Sequence, residues 1–199
     1  MRRALVPFVL GLGLSLGLTS AWPAAAPQGE GKPQREPDVI YVPTPYEVVE
    51  KMLELADVRK GEVVYDLGCG DGRIPVTAAK KYGVRAFGWD INPVRVKESL
   101  ANVERNNVKQ LVTIKQGDIF ELDLSKADVI TLYLLPQLNV KLIPQLEKLK
   151  PGCRIVSHDF DMKGVKPKRE ISFQPPGGRD HRIYLWVTPL ERERPGREQ

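Results

Sequence analysis

The sequence predicts an α/β fold, a doubly wound and mostly parallel seven-stranded sheet forming a single domain behind an N-terminal leader. Three observations predict it. Residues 62–73 run from a short apolar stretch of strand formers into an acid, through a glycine-rich turn, and into a helical pattern beginning near Arg73. Apolar strand-like runs and amphipathic helical runs then alternate at least four times, as parallel strands joined by crossover helices require. Three successive strand-like runs also end at an aspartate, at Asp66, Asp90 and Asp118.

The first 26 residues stand outside that domain. Arg2 and Arg3 precede a predominantly apolar run over 4–18, and small residues follow through Ala26. This is the layout of a signal peptide with cleavage after Ala21 or within 24–26, or of an uncleaved membrane anchor. The expected location is therefore exported or membrane-anchored, with the side of the membrane open. Residues 27–38, rich in Pro, Gly, Gln and charge, read as a linker. The domain is expected over 39–188, with a charged tail over 189–199 that frays from Glu191.

Within the domain, residues 39–45 are extended because Pro43 and Pro45 disfavour helix in the residues before them. Thr44 suits an N-cap with Pro45 at the first helical position. Val48, Val49, Met52, Leu53 and Ala56 then share one helical face. After the first strand and its glycine turn, Ile74, Val76, Ala78 and Ala79 line a helix that stops at Gly83. A second strand covers 85–90. Pro93 opens a helix with Val96, Leu100 and Val103 on one face, ended by Asn106 and Asn107. Residues 111–115 form a third strand and 128–135 a fourth, apolar enough to be central. Leu138, Leu142, Leu146 and Leu149 carry the next helix, which Pro151 and Gly152 terminate. A fifth strand covers 153–158. The runs 170–173 and 182–187, joined by the turn-rich 174–178, finish the chain as a hairpin.

The glycine spacing selects a ligand class. A dinucleotide fingerprint is G-x-G-x-x-G, whereas Asp66 to Gly72 reads D-x-G-x-G-x-G. Gly68, Gly70 and Gly72 let the backbone bend sharply beside a ligand. The carboxylate at the strand end repels phosphate but suits the ammonium and sulfonium of S-adenosylmethionine (SAM). A dinucleotide-dependent oxidoreductase is therefore a distant alternative. Asp90 lies at about the distance past the turn expected for an acid that binds a ribose diol. A strand-end Asp is also a common helix N-cap. Three of them in strand order, however, converge on one crevice at the carboxyl edge of the sheet.

These motifs resemble the class I SAM-dependent methyltransferases over roughly residues 38–187. The resemblance implies that Asp66, with Gly68 and Gly70, surrounds the methionine part of SAM. It implies that Asp90 holds the ribose hydroxyls, and that Asp118 with the backbone of Ile119 meets the adenine amine. Residues 41–45 (YVPTP), 65–74 (YDLGCGDGRI) and 156–160 (VSHDF) together are similar to the small protein-lysine methyltransferases of archaea. Mitochondrial relatives of those enzymes modify lysines of the adenine nucleotide translocase and of the ATP synthase c-subunit. By that likeness Tyr41 and Thr44 belong to a segment folded over the SAM and shaping an acceptor channel. The export-like leader is a departure from the compact archaeal forms.

The expected partner is a protein offering lysine side chains, and the expected state is a monomer. Enzymes acting on exocyclic amines of bases often carry Asn/Asp-Pro-Pro-aromatic at the end of the fourth strand. Residues 131–136 here read TLYLLP, with no Asn or Asp, which disfavours a nucleobase acceptor. The net charge of +5 is spread among acids rather than gathered in a block, and does not by itself mark a nucleic-acid surface. Membrane association is expected only through the leader. The two cysteines, Cys69 and Cys153, are packing residues at strand edges.

Tyr41, Tyr133 and His158 are the candidate catalytic residues. Tyr133 either flanks a lysine channel or packs beneath the next helix. His158 is either a participant in proton transfer or a structural hydrogen-bonding residue. Neither His158 nor His181 has partners at metal-ligand spacing, and no metal is expected. Two other functions are compatible with the sequence: a methyltransferase of this fold acting on a small molecule or RNA, and a non-catalytic SAM-fold binding protein of the cell envelope.

Overall fold

The computed structural model describes residues 41–193. The expectations for the leader, for the linker over 27–38, for residues 39 and 40, and for 194–199 lie outside the described residues. The described chain forms a seven-stranded sheet in the order β3-β2-β1-β4-β5-β7-β6. Its strands are β1 (Val63–Leu67), β2 (Arg85–Asp90), β3 (Val112–Gln116), β4 (Val129–Leu132), β5 (Arg154–His158), β6 (Arg169–Phe173) and β7 (His181–Val187). The first five pair in parallel, and β7 runs antiparallel between β5 and β6. The doubly wound sheet and its hairpin finish are therefore as the sequence predicts.

Helices α1 (Tyr46–Leu55), α2 (Arg73–Tyr82) and α3 (Pro93–Arg105) cover one face, and α4 (Pro136–Leu146) covers the other. The alternation within strands divides the core. Val64, Ala86, Val129 and Val156 point to the three-helix side, while Val63, Leu67, Ile130 and Ile155 point to α4. Val48, Val49, Met52, Leu53 and Ala56 are fully buried. Burial of each larger one contributes roughly 2 kcal/mol, and together they fix α1 to the sheet.

Four local expectations are corrected. The helical face of α3 is Ser99, Asn102 and Val103, and Leu100 is half exposed. The inward side of that helix hydrogen-bonds the glycine turn, so polar groups occupy places that hydrophobicity alone assigns to leucine. Strand β4 ends at Leu132, three residues early, because Pro136 starts α4 and the chain must leave the sheet before it. Thr44 does not cap α1: the N-cap is Pro45, and the threonine hydroxyl bonds elsewhere. Residues 191–193 are not frayed. Arg192 bridges Val165, and the amides of Lys166 and Glu193 donate across the same pairing.

Candidate active site

The cleft lies at the carboxyl ends of β1, β2 and β4, where the strand order reverses between β1 and β4 and neighbouring connections diverge to opposite faces. Its solvent-accessible interior is about 130 Å³. Asp66, Asp90, Asp118 and Ile119 line it on one side, and Tyr41, Thr44 and Tyr133 on another.

Backbone geometry builds the first side. Gly68, Gly70 and Gly72 all have positive φ, at 80°, 55° and 76°. The amides of Gly68 and Cys69 donate to the Trp89 carbonyl at 2.9 and 2.8 Å, which ties the turn to the end of β2. Ser99 Oγ donates to Gly70 O at 2.9 Å and Asn102 Nδ2 to Asp71 O at 3.0 Å, so α3 pins the turn from behind. A Cβ at Gly70 would lie 2.1 Å from the Tyr41 ring. Only glycine lets residue 41 pack there. Cys69 is buried beside Ser99, and burial holds its thiol well above the ordinary range.

The three acids differ. Asp66 is 2% exposed; its Oδ1 accepts from Thr131 Oγ1 at 2.6 Å, and its Oδ2 is buried without a partner among the described residues. Burial, and then the charges of Asp90 and Asp71, push this carboxyl up to about 7 despite the threonine bond. Asp90 accepts one backbone amide on each oxygen, from Asn92 at 2.8 Å and from Gly70 at 2.9 Å. Burial raises it above the ordinary range. Asp118 Oδ1 accepts from Phe120 N at 3.0 Å and caps the 3-10 turn Ile119–Glu121, and both Asp118 and Ile119 line the cleft. At Asp118, then, capping and cleft lining are one arrangement.

Side chains from distant segments build the other side. Arg73 forms paired bonds to Asp71 and donates to the Thr44 carbonyl at 2.7 Å, clamping residues 41–46 to the glycine turn. The Tyr41 ring lies under the Arg95 guanidinium, 4.7 Å away. Burial, and then the Asp71 charge, push its hydroxyl up to about 12. Thr44 Oγ1 is 3.1 Å from His158 Nδ1, and His158 Nε2 is 2.7 Å from His181 Nδ1. Tyr133 packs against His158 with ring centroids 4.0 Å apart and also lines the cleft. Burial drives the His158 imidazole down to about 4.

Asp159 completes this side. Its φ of 58° turns the chain sharply after β5, a conformation Asp tolerates. Its carboxylate pairs with Arg179 and accepts the Arg182 amide at 3.2 Å. Sequence spacing conceals the meeting of His158, Asp159 and His181, whose ligand-type atoms lie within 4.8 Å of one another. Arg73 is the site residue that sequence reasoning passes over, and His181 is one that it weighs and sets aside. The signal for Arg73 is its place two residues after Asp71, while nothing local marks His181.

The residues present fit SAM. The orphaned Asp66 Oδ2 offers a buried anionic acceptor to an ammonium group. Asp90, each oxygen already holding one amide, has lone pairs left for a diol. Known proteins agree with this fit. A family model described as the ANTKMT methyltransferase domain matches residues 66–169. The chain is 50% identical over 153 residues to a protein-lysine N-methyltransferase of Saccharolobus islandicus, covering 76% of this chain and 94% of that one. It is 30% identical over 121 residues to the human ATP synthase C-subunit lysine N-methyltransferase, covering 60% and 51% of the two. Among solved structures, one described as an RNA methyltransferase from Salinibacter ruber in complex with S-adenosyl-L-homocysteine superposes with a TM-score of 0.69 at 46% identity. It covers 79% of this chain and 99% of that one.

Proposed function

This chain belongs to the ANTKMT methyltransferase family and is a SAM-dependent methyltransferase, and from that premise we propose that its acceptor is the ε-amine of lysine in a protein. The observation that carries the proposal is the make-up of the cleft beyond Asp66. Tyr41 and Tyr133 line it, and the stretch after β4 offers no Asn or Asp side chain to hold a base amine. A slender aliphatic amine suits such a wall.

Bound SAM supplies an electrophilic methyl group on a sulfonium. For this chain, Asp66 holds the ammonium, Asp90 the ribose hydroxyls, and Asp118 with the Ile119 backbone the adenine edge. Gly68 and Gly70 give the backbone its close approach, while Tyr41 and Thr44 close the cleft over the cofactor. Tyr133 aligns the acceptor. Alignment and exclusion of water supply much of the acceleration of a displacement of this kind. A free lysine has a pKa of about 10.4 and must lose a proton before it attacks. Desolvation in the cleft, beside a cation, favours that loss.

The test uses the protein with methyl-labelled SAM and a mixed protein extract, followed by hydrolysis to amino acids, with Asp90→Ala as control. Label on lysine that disappears in the variant supports the proposal. The Salinibacter ruber structure favours a second reading, an RNA acceptor; label in the nucleic acid fraction instead of on lysine would establish that reading. The leader supports delivery of the domain to or across a membrane, because Arg2 and Arg3 precede an apolar run. An alkaline phosphatase fusion to the leader that stays inactive would refute export.

A further inference from the structure

We propose that Thr44, His158 and His181 form a proton exit from the cleft, taking the proton that the lysine ammonium must lose before methyl transfer. The inference rests on the lysine reading above and deepens it. Thr44 lines the cleft, and its buried hydroxyl is bonded to His158 Nδ1 at 3.1 Å. His158 Nε2 lies 2.7 Å from His181 Nδ1, close enough that one of the two nitrogens carries a hydrogen pointing at the other. Both rings are buried, at 0% and 4% exposure, between the Tyr133 ring and the Asp159 carboxylate. A buried pair of imidazoles contributes little to packing that leucines would not. The pair does connect the cleft, through Thr44, to Asp159 and the exposed Arg179.

The step balances as a relay. The ammonium gives a proton to Thr44 Oγ1, and the threonine's own proton passes to His158 Nδ1. The His158 Nε2 proton passes to His181 Nδ1. The amine becomes neutral, Thr44 and His158 keep their proton counts, and His181 becomes an imidazolium. Asp159, with Oδ1 3.7 Å from His181 Nδ1 and Oδ2 3.3 Å from His158 Nε2, offsets that charge until the proton leaves for solvent. The other charged and titratable groups facing the pair are Tyr133 after β4 and Arg179 beside the hairpin. His158, held neutral by burial, conducts without trapping the proton. His181 acts through His158 and Thr44 and does not touch substrate.

His158, Asp159 and His181 are also close enough together to hold a divalent cation. Asp159 is already paired with the Arg179 guanidinium, and the histidines with each other, which favours the relay.

The experiment measures methyl transfer to lysine in the extract from pH 6 to 10, with saturating SAM, for the intact protein and for His181→Asn. The intact protein should level off near neutrality. The variant should be slower by roughly 10- to 100-fold at pH 7, within the span of general acid–base effects. Its rate should climb about tenfold per pH unit and meet the intact protein at about pH 8–9, below the free lysine value of about 10.4 because desolvation beside a cation lowers it. Parallel profiles would mean that His181 is structural and would overturn the relay. So would a rise in melting temperature with Zn²⁺ that His181→Asn abolishes. Should His181→Asn fail to fold, Thr44→Val against Thr44→Ser asks the same question: serine keeps the profile and valine shifts it, and identical profiles overturn the proposal. An intact protein that labels no lysine refutes the acceptor assignment instead, which is a separate outcome.

Discussion

The two sides of the cleft are built by different means. On the cofactor side, backbone amides tie the glycine turn and the acid at the end of β2 together, with the side chains of Thr131, Ser99 and Asn102 in support. Amides of Gly68 and Cys69 reach Trp89 O, and amides of Gly70 and Asn92 reach Asp90. On the acceptor side, side chains far apart in sequence hold one another: Thr44 meets His158 across 114 positions, and His158 meets His181 across 23. A backbone-built wall is preorganised, because its donors cannot rotate away. A wall built from side chains depends on every partner, and its chemistry can change without altering the fold. Under the assignments proposed above, cofactor choice belongs to the first side, and acceptor choice and proton handling to the second.

The change that should separate the two sides most sharply is Asp90→Ala. It removes the carboxylate assigned to the ribose and leaves the Gly70 and Asn92 amides without their acceptor. Two charge-assisted hydrogen bonds are worth about 3 kcal/mol, so SAM affinity by calorimetry should fall roughly 100-fold or more. The Thr44–His158–His181 side should remain intact, visible as unchanged imidazole resonances. Altered histidine resonances would show that the two sides are one cooperative unit.

A smaller effect, with opposite signs for stability and binding, is expected at Asp66. Asp66→Asn keeps an oxygen for Thr131 while removing a carboxylate that burial disfavours. The SAM-free variant should be more stable at pH 7 by about 1–3 kcal/mol, yet bind SAM about tenfold more weakly. Equal stability in denaturant titrations would mean that Oδ2 is satisfied in solution.

The cofactor side is also the legible side. Asp66, Gly68, Gly70, Asp90 and Asp118 are each marked by position after a strand, and strands announce themselves through runs such as residues 63–67 and 129–132. Thr44, read locally, is an N-cap, because sequence shows the proline beside it but not the histidine across the fold. Leu100 reads as core because periodicity counts apolar residues, whereas α3 turns Ser99 and Asn102 inward to hold the glycine turn. His181 carries no local pattern at all. What escapes the sequence is long-range side-chain pairing, for which spacing along the chain holds no information.

The finest distinction between the two sides is their pH response, because their buried groups shift in opposite directions. Asp66 titrates near 7 in the folded state and near 4 when unfolded. Between those values the folded state binds more protons, so this carboxyl lowers stability as pH rises from about 4 to 7. His158 titrates near 4 when folded and near 6.5 when unfolded. Its contribution is fully present above about 6.5 and is lost as pH falls toward 4. The slopes oppose, each at most about 1.4 kcal/mol per pH unit, so these two groups should leave the SAM-free protein with a nearly flat profile between about pH 4.5 and 6.5. Asp66→Asn should expose the histidine slope, with stability rising with pH, and His158→Asn the carboxyl slope, with stability falling. SAM should reinforce the contrast: an ammonium at Asp66 requires the ionised carboxylate, so binding releases a proton below about pH 7 and tightens as pH rises toward it. Calorimetry in buffers of different ionisation enthalpy reads that proton directly. A wild-type count near zero at pH 6 would place Asp66 already ionised before the cofactor arrives, and its buried oxygen would then need another partner.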